Sequence, residues 1–490
     1  MRCLMSTPDF PLWSGAFAEH ARRLHRCAQA SLSQLQWLCR AWIPDARLVQ
    51  EVDQDHSRTR HWPLQRTFWT FLWQVSQAGA SCRDAVCAAI ALGPPAGAST
   101  LPSEHTGPYC TARAKLPLER LDLIHREIVR DAQEQAPQRS LWQGRRVYAA
   151  DGTCLDMPDT PANQKAYPQQ NVQKPGCGFP ILRLLAFFCL ATGMMTHWAC
   201  GTWYQHELSL LPGLLARLSA GDVLLGDRGF GNYPVLVQCV QRGIDAVVRA
   251  NTARRRIDFR QGRRLGHHDR LVTWRKGPLR PGYLTKAEWA ALPSELDLRV
   301  VKVALTIPGL RTRSVILVTT LLDPEAYPPH ALAKLYLRRW LMELSFRHLK
   351  TTLQMDHLSC LSPETVEREL RMHLLVHNLA RRLALEAVNR HGGDLERISF
   401  AGTLALMHGY GDAMSGARSQ SKRQELLDDF YRRLAGQQVP LRPGRREPRA
   451  VKRRPKPYPL LTCHRHSYRE IPHRNRYRAK TSPRKNKGLK

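Results

Sequence analysis

Residues 336–350 read Y-L-R-R-W-L-M-E-L-S-F-R-H-L-K, with tyrosine, arginine, glutamate and lysine at positions 336, 339, 343 and 350. Wound as an α-helix at about 100° per residue, Tyr336, Arg339, Glu343 and Lys350 fall within an arc of ~60°. One carboxylate then lies between two cations and a phenol on a single face. Such a face suits a divalent cation held beside a phosphate. Arg and Glu four residues apart are also ordinary salt-bridged dressing on a helix surface. The rest of the chain has to decide between these readings.

Pro328 and Pro329 precede this stretch, and no proline follows between His330 and Leu361. That pattern predicts one long helix beginning near His330. A second amphipathic helix is expected over about 363–388, and Glu369, outside the four-residue pattern, is expected to tolerate Gln. Upstream, two short apolar runs each meet an aspartate followed by turn residues: 147–150 before Asp151-Gly152-Thr153, and 223–226 before Asp227-Arg228-Gly229. Both read as strands ending in an acid. Between them, 181–190 and 194–203 read as a hairpin around Gly193, followed by a helix at about 207–218. A helix near 235–242 and a strand at 246–250 complete the order β-β-β-α-β-α-β. If the two aspartate-bearing strands are neighbours, their carboxylates meet at one sheet edge and Glu343 joins them from the helix. Taken singly, an Asp after a strand is commonly a turn or cap residue; Asp159 and Asp222 read that way.

The charge balance points the same way. The 490 residues carry 74 Lys and Arg against 41 Asp and Glu, a net +33, which calls for a polyanionic partner. Residues 441–490 hold 18 Lys and Arg against Glu447 and Glu470, so about half of the excess lies in a tail and the rest in the body. The 13 cysteines are scattered without a C-x-x-C pair. Cys82/Cys87 and Cys463-His464-Arg465-His466 lack a partner cluster at zinc spacing, so structural zinc is not expected. The apolar stretch 179–200 is broken by Arg183 and reads as the hairpin rather than a membrane span. The first ten residues have no continuous apolar core of the kind a secretion signal needs. A protein of the reducing cytoplasm, with no membrane association, is expected.

The expected organisation is α/β. Residues 1–140 form a helical N-terminal domain, a candidate for DNA binding or for packing, with apolar residues three and four apart in 17–39, 62–75 and 116–129. Residues 141–400 form the catalytic domain, a mixed β-sheet flanked by helices, with a β-rich insertion at about 251–312. A helical C-terminal region follows at 401–440, then the basic tail 441–490, expected to lack fixed structure in isolation.

Taken together, these motifs resemble the bacterial insertion-sequence transposases of the DDE type, and more narrowly the fourth insertion-sequence family with its Y-x2-R-x3-E-x6-K signature. Tyr336, Arg339, Glu343 and Lys350 match all four positions, and the segments around Asp151 and Asp227 resemble that family's two aspartate motifs, across about residues 100–460. The resemblance implies an RNase H-like core in which Asp151, Asp227 and Glu343 are catalytic and bind two Mg²⁺ (or Mn²⁺) ions. It implies double-stranded DNA as partner, as transposon terminal inverted repeats and target DNA, with a homodimer pairing the ends and no membrane. Strand cutting by water would leave a 3′-OH that attacks a second strand directly. Tyr336, Arg339 and Lys350 would position phosphates, and Trp274 or Trp289 would stack on an unstacked base unless each simply fills a core. The alternatives are an RNase H-like nuclease and a catalytically inactive DNA-binding derivative. The implied location is the bacterial cytoplasm, at the nucleoid.

Overall fold

The computed structural model describes residues 35–441, apart from 37, 49–60, 94–99, 254, 306–313, 416 and 418, together with 463, 464 and 467. The basic tail and most of the helix expected at 17–39 lie outside the described residues.

The central apolar run Val223–Leu224–Leu225–Gly226 is buried at all four positions and forms strand β4 (Val223–Gly226). Such continuous burial is what a strand covered on both faces requires. It pairs in parallel with β1 (Val147–Asp156) on one side and with β5 (Asp245–Arg249) on the other. On its other edge β1 runs antiparallel to β2 (Ile181–Cys189), which turns through Thr192-Gly193 into β3 (Met195–Thr202). Gly193 holds φ +68° there, a conformation natural to glycine. The hairpin expectation and the strand order β-β-β-α-β-α-β both hold.

The inserted segment does not stand apart. Strands β6 (Arg263–Gly266), β7 (Asp269–Arg275) and β8 (Glu295–Ala304) join β9 (Ser314–Thr319), which pairs antiparallel with β5. Among the described residues, one nine-stranded sheet results, ordered β3-β2-β1-β4-β5-β9-β8-β7-β6.

Alternate residues of the strands feed two apolar layers. Val147 and Ala149 pack with helices α1 (Leu64–Ser76), α2 (Cys82–Ala91), α3 (Thr106–Ala114) and α4 (Leu118–Gln135). Tyr148 and Ala150 face the opposite layer with α5 (Tyr233–Gln241). After β9 come α6 (Pro329–Leu337) and α7 (Trp340–Arg347), then α8 (Pro363–His391). Helix α8 is the backbone of the first layer, with α9 (Phe400–Ser415) and α10 (Gln420–Gly436) against it. Ser362 caps α8 by accepting from the Thr365 N–H, Pro363 fills its first turn, and Gly392 at φ +77° ends it. Among the described residues no helix is long and apolar enough to cross a membrane.

The inserted strands are tied to the site helices through one buried ion pair. Arg299 is fully buried and binds Asp269 with both ends of its fork, at 2.9 and 2.6 Å. Its remaining nitrogen donates to the carbonyls of Asp323 (3.2 Å) and Tyr327 (2.7 Å), in the loop that launches α6. Arg299→Met is expected to cost on the order of 3–5 kcal/mol, because Asp269 is left buried and unpaired. Arg299→Met combined with Asp269→Leu should recover much of that loss. Urea unfolding midpoints of the two variants provide the measurement.

Candidate active site

Ala150 lies beside Gly226 in the parallel β1–β4 register, and β4 stops there. The next residues on the two strands are Asp151 and Asp227. β1 does not end at Asp151 as expected; it continues to Asp156 along β2 alone, because that hairpin partner is longer than β4. Its other edge is therefore open from Asp151 onward, until the segment after α7 closes it at Asp156, where Asp156 N–H bonds the Asp356 carbonyl and Leu358 N–H bonds the Asp156 carbonyl.

The expected single helix from His330 is broken. The N–H groups of Arg338, Arg339, Leu341 and Met342 reach back three residues, to Leu335, Tyr336, Arg338 and Arg339, so the chain tightens between α6 and α7. His348–Thr352 then widens into a π turn. Neither proline nor glycine marks these changes. They accompany a tertiary tether, in which Arg338 binds Glu396 at 2.7 Å and the Leu190 carbonyl at 3.3 Å. The single-wheel arc of ~60° therefore does not apply across 336–350.

Glu343 is nevertheless delivered to the aspartates. Asp151 is pushed up to about 6 by burial, partly countered by the Gly152 N–H bonded to it at 2.9 Å; Asp227 and Glu343 push it further up, and Arg339 pulls it down. Those influences place all three acids and Arg339 in one electrostatic neighbourhood. Asp227 accepts the Gly229 N–H at 2.7 Å in a tight turn. Arg339 binds Glu343 at 2.5 Å and lies 5.9 Å from the centre of the buried Tyr336 ring. Lys350 leans across the open edge of β1 and donates to Thr153 Oγ1 (3.2 Å) and the Cys154 carbonyl (3.1 Å). In this state it braces the π turn against β1.

One acid was not singled out in the sequence. Glu207 begins a single turn after β3, and burial together with Asp151 and Asp227 raises its carboxyl to about 7. The available signal was Gly152, since a glycine inside a strand often marks a close approach. A Cβ at Gly152 would lie 2.6 Å from the Glu207 carboxyl carbon.

The donor set of these acids is oxygen-only and anionic, which suits a hard divalent cation. Among the described residues, however, no three Asp, Glu, His or Cys side chains converge closely enough to hold a metal ion. Glu343 is occupied by Arg339, and carboxylates crowded without a cation repel one another.

Other expectations are settled by burial. Asp222 is a turn acid, accepting the Ser219 N–H at 2.8 Å. Trp274 is buried with the Arg255 guanidinium 4.4 Å from its ring centre, and Lys276 sits 5.5 Å from that of Trp289, so both rings are engaged within the inserted strands. Glu369 is not an indifferent surface acid. It is buried and accepts the N–H groups of Ser359 (2.9 Å) and Cys360 (2.9 Å) and the Ser359 hydroxyl (2.6 Å).

Residues 142–379 match the family described as "Transposase DDE domain". Over 324 residues, 65% of this chain and 70% of the relative, the sequence is 29% identical to "Transposase InsG for insertion sequence element IS4" of Escherichia coli (strain K12). The chain belongs to the DDE transposases of the IS4 type. A cryo-EM structure of a piggyBac transposase synaptic complex with hairpin DNA aligns over 77% of this chain and 86% of that one, at 10% identity and a TM-score of 0.34, too low to carry an argument.

Glu369→Gln is expected to lower stability by about 1–3 kcal/mol, since the amide nitrogen faces donors it cannot accept from. The loss should appear in chemical denaturation of the DNA-free protein.

Proposed function

We propose that this transposase cuts and joins DNA at the ends of an insertion sequence by phosphoryl transfer at Asp151, Asp227 and Glu343. The observation that carries the reading is the meeting of these three carboxylates, from β1, the end of β4 and α7, at one open strand edge with Arg339 beside them. Scattered acids brought to one place by the fold suit two-ion phosphoryl transfer better than a surface salt bridge, which needs only the two helical partners. The mixed sheet β1–β5, with helices on both faces, supports an RNase H-like core, with residues 1–140 and 401–440 as its helical flanks.

Asp151, Asp227 and Glu343 would hold two Mg²⁺ or Mn²⁺ ions, which when bound supply an activated water and offset charge on the leaving oxygen. Glu343 must leave Arg339 to take part, which frees the guanidinium for a DNA phosphate. Tyr336, buried beneath Arg339, restrains that movement, and Lys350 positions phosphates where β1 lies open. Hydrolysis leaves a 3′-OH on the DNA, and that hydroxyl attacks the second strand directly, so no protein side chain becomes covalently linked. Two copies of the chain would pair two double-stranded ends.

Asp151→Asn, Asp227→Asn and Glu343→Gln should each reduce cleavage of end DNA by at least ~10³-fold, with double variants little worse than singles because the acids act as a unit. End-DNA affinity in gel shifts should stay near that of the parent. A Glu343→Gln protein that cuts at close to the parental rate would remove this assignment. Chelator should abolish cutting, while Ca²⁺ should support binding with little cleavage, since its loose coordination aligns the reacting oxygens poorly.

The basic tail should add affinity without discrimination. Deleting 441–490 is expected to weaken binding to end and random DNA alike and to flatten its salt dependence. Selective loss of end recognition would instead mean that the tail reads bases.

A further inference from the structure

Glu207 is the group near the aspartates that no motif accounts for. It lies 56 residues after Asp151 in sequence, beyond the hairpin β2–β3, and the fold returns it to the Asp151 position. The approach is possible because residue 152 has no side chain: a Cβ there would stand 2.6 Å from Glu207 Cδ and Oε1. Glu207 is also left electrostatically unserved. Among the described residues, no hydrogen-bond donor reaches its carboxylate, and the acids that act on it are Asp151 and Asp227, opposed only by Arg183.

The loop around Glu207 is held firmly, so its placement is not an accident of an unpinned surface turn. Arg183 donates to the Gln205 carbonyl at 2.6 Å, and Gln205 Oε1 accepts the Thr202 N–H at 2.9 Å. His206 Nδ1 accepts the Leu208 N–H at 3.1 Å, and its ring stacks on Tyr283 with 5.0 Å between centres. Tyr283 in turn donates to Asn232 Oδ1 at 3.1 Å, and Asn232 Nδ2 donates to the Gly229 carbonyl at 2.9 Å in the turn that follows Asp227. One chain of contacts thus connects the loop of Glu207 to the loop of Asp227.

We propose that Glu207 is a fourth carboxylate of the site, facing the same cation position as Asp151 and Asp227 across the gap left by Gly152. The inference rests on the metal-dependent reading above. It answers a difficulty of the DNA-free protein, in which Glu343 is held by Arg339: Asp151, Asp227 and Glu207 supply an all-oxygen set that can retain a divalent ion before DNA arrives. Glu207 is then a binding residue for the ion rather than for the DNA.

The test uses Mn²⁺ and the full-length, DNA-free protein, with free Mn²⁺ read by electron paramagnetic resonance. Glu207→Gln is expected to weaken Mn²⁺ binding by about tenfold or more, the scale of losses when a metal site is depleted of a supporting group. Gly152→Ala should do the same with Glu207 intact, since the new methyl displaces the flexible end of that side chain. Asp156→Asn, on the same strand but bonded to His357, is the comparison and should bind Mn²⁺ as the parent does. Circular dichroism melts verify that each variant is folded. In cleavage assays, Glu207→Gln should raise the Mn²⁺ concentration for half-maximal rate while leaving metal-free affinity for end DNA unchanged. Unchanged Mn²⁺ affinity in folded Glu207→Gln, with Asp151→Asn impaired, would overturn this inference alone. If neither variant alters Mn²⁺ binding, or the parent binds none, the metal-dependent reading falls as well.

Discussion

Ala150 sits beside Gly226 because two short apolar strands pair in parallel, and the catalytic geometry is built on that register. A slip of one residue would turn Asp151 to the opposite face of the sheet, away from Asp227. The register is held by burial on both faces: β4 has no exposed position, and alternate residues of β1 enter separate apolar layers. The unequal lengths of the neighbours matter as much. β4 ends at Gly226 while β2 accompanies β1 to Asp156, which leaves a strand edge that is structured on one side and open on the other. Asp227, Lys350 and Asp356 border that opening, so the polar chemistry of the chain gathers where a ladder of backbone hydrogen bonds has been interrupted.

Crowding carboxylates at such an edge costs free energy unless cations answer them. In the DNA-free protein the response is partial. Arg339 neutralises Glu343, burial holds a proton on part of the Asp151 population near neutral pH, and Glu207 is raised in the same way. Electrostatics therefore stores an attraction for cations and, through Arg339, for phosphate. The surrounding fold keeps the acids from relaxing apart: Arg299 secures the loop before α6, Arg338 tethers the break between α6 and α7, and Glu369 gathers the backbone at Ser359 and Cys360. These three residues are remote from the chemistry in sequence and invisible to any short motif, yet each fixes a segment that borders the site.

Local sequence determined a good deal. The apolar runs before Asp151 and Asp227, the Gly193 hairpin, the strand order and the helix after Ser362 follow from periodicity, burial need and cap chemistry, which act over a few residues. The Y-R-E-K spacing singled out Glu343 for the same reason. What the tertiary structure alone decided is where long-range partners intervene. No proline or glycine foretells the tightening at Arg338–Arg339 or the π turn at His348–Thr352; Glu396 and Leu190, distant in sequence, hold Arg338 there. Lys350 reads as a free cation yet finds Thr153 and Cys154 because β1 runs past the end of β4. Glu369 and Glu207 look like surface acids in sequence, and burial makes one a structural anchor and brings the other over Gly152. Short-range pattern reports which face a residue prefers, whereas the partner it meets across 50 or 200 positions depends on how strands of unequal length are packed together.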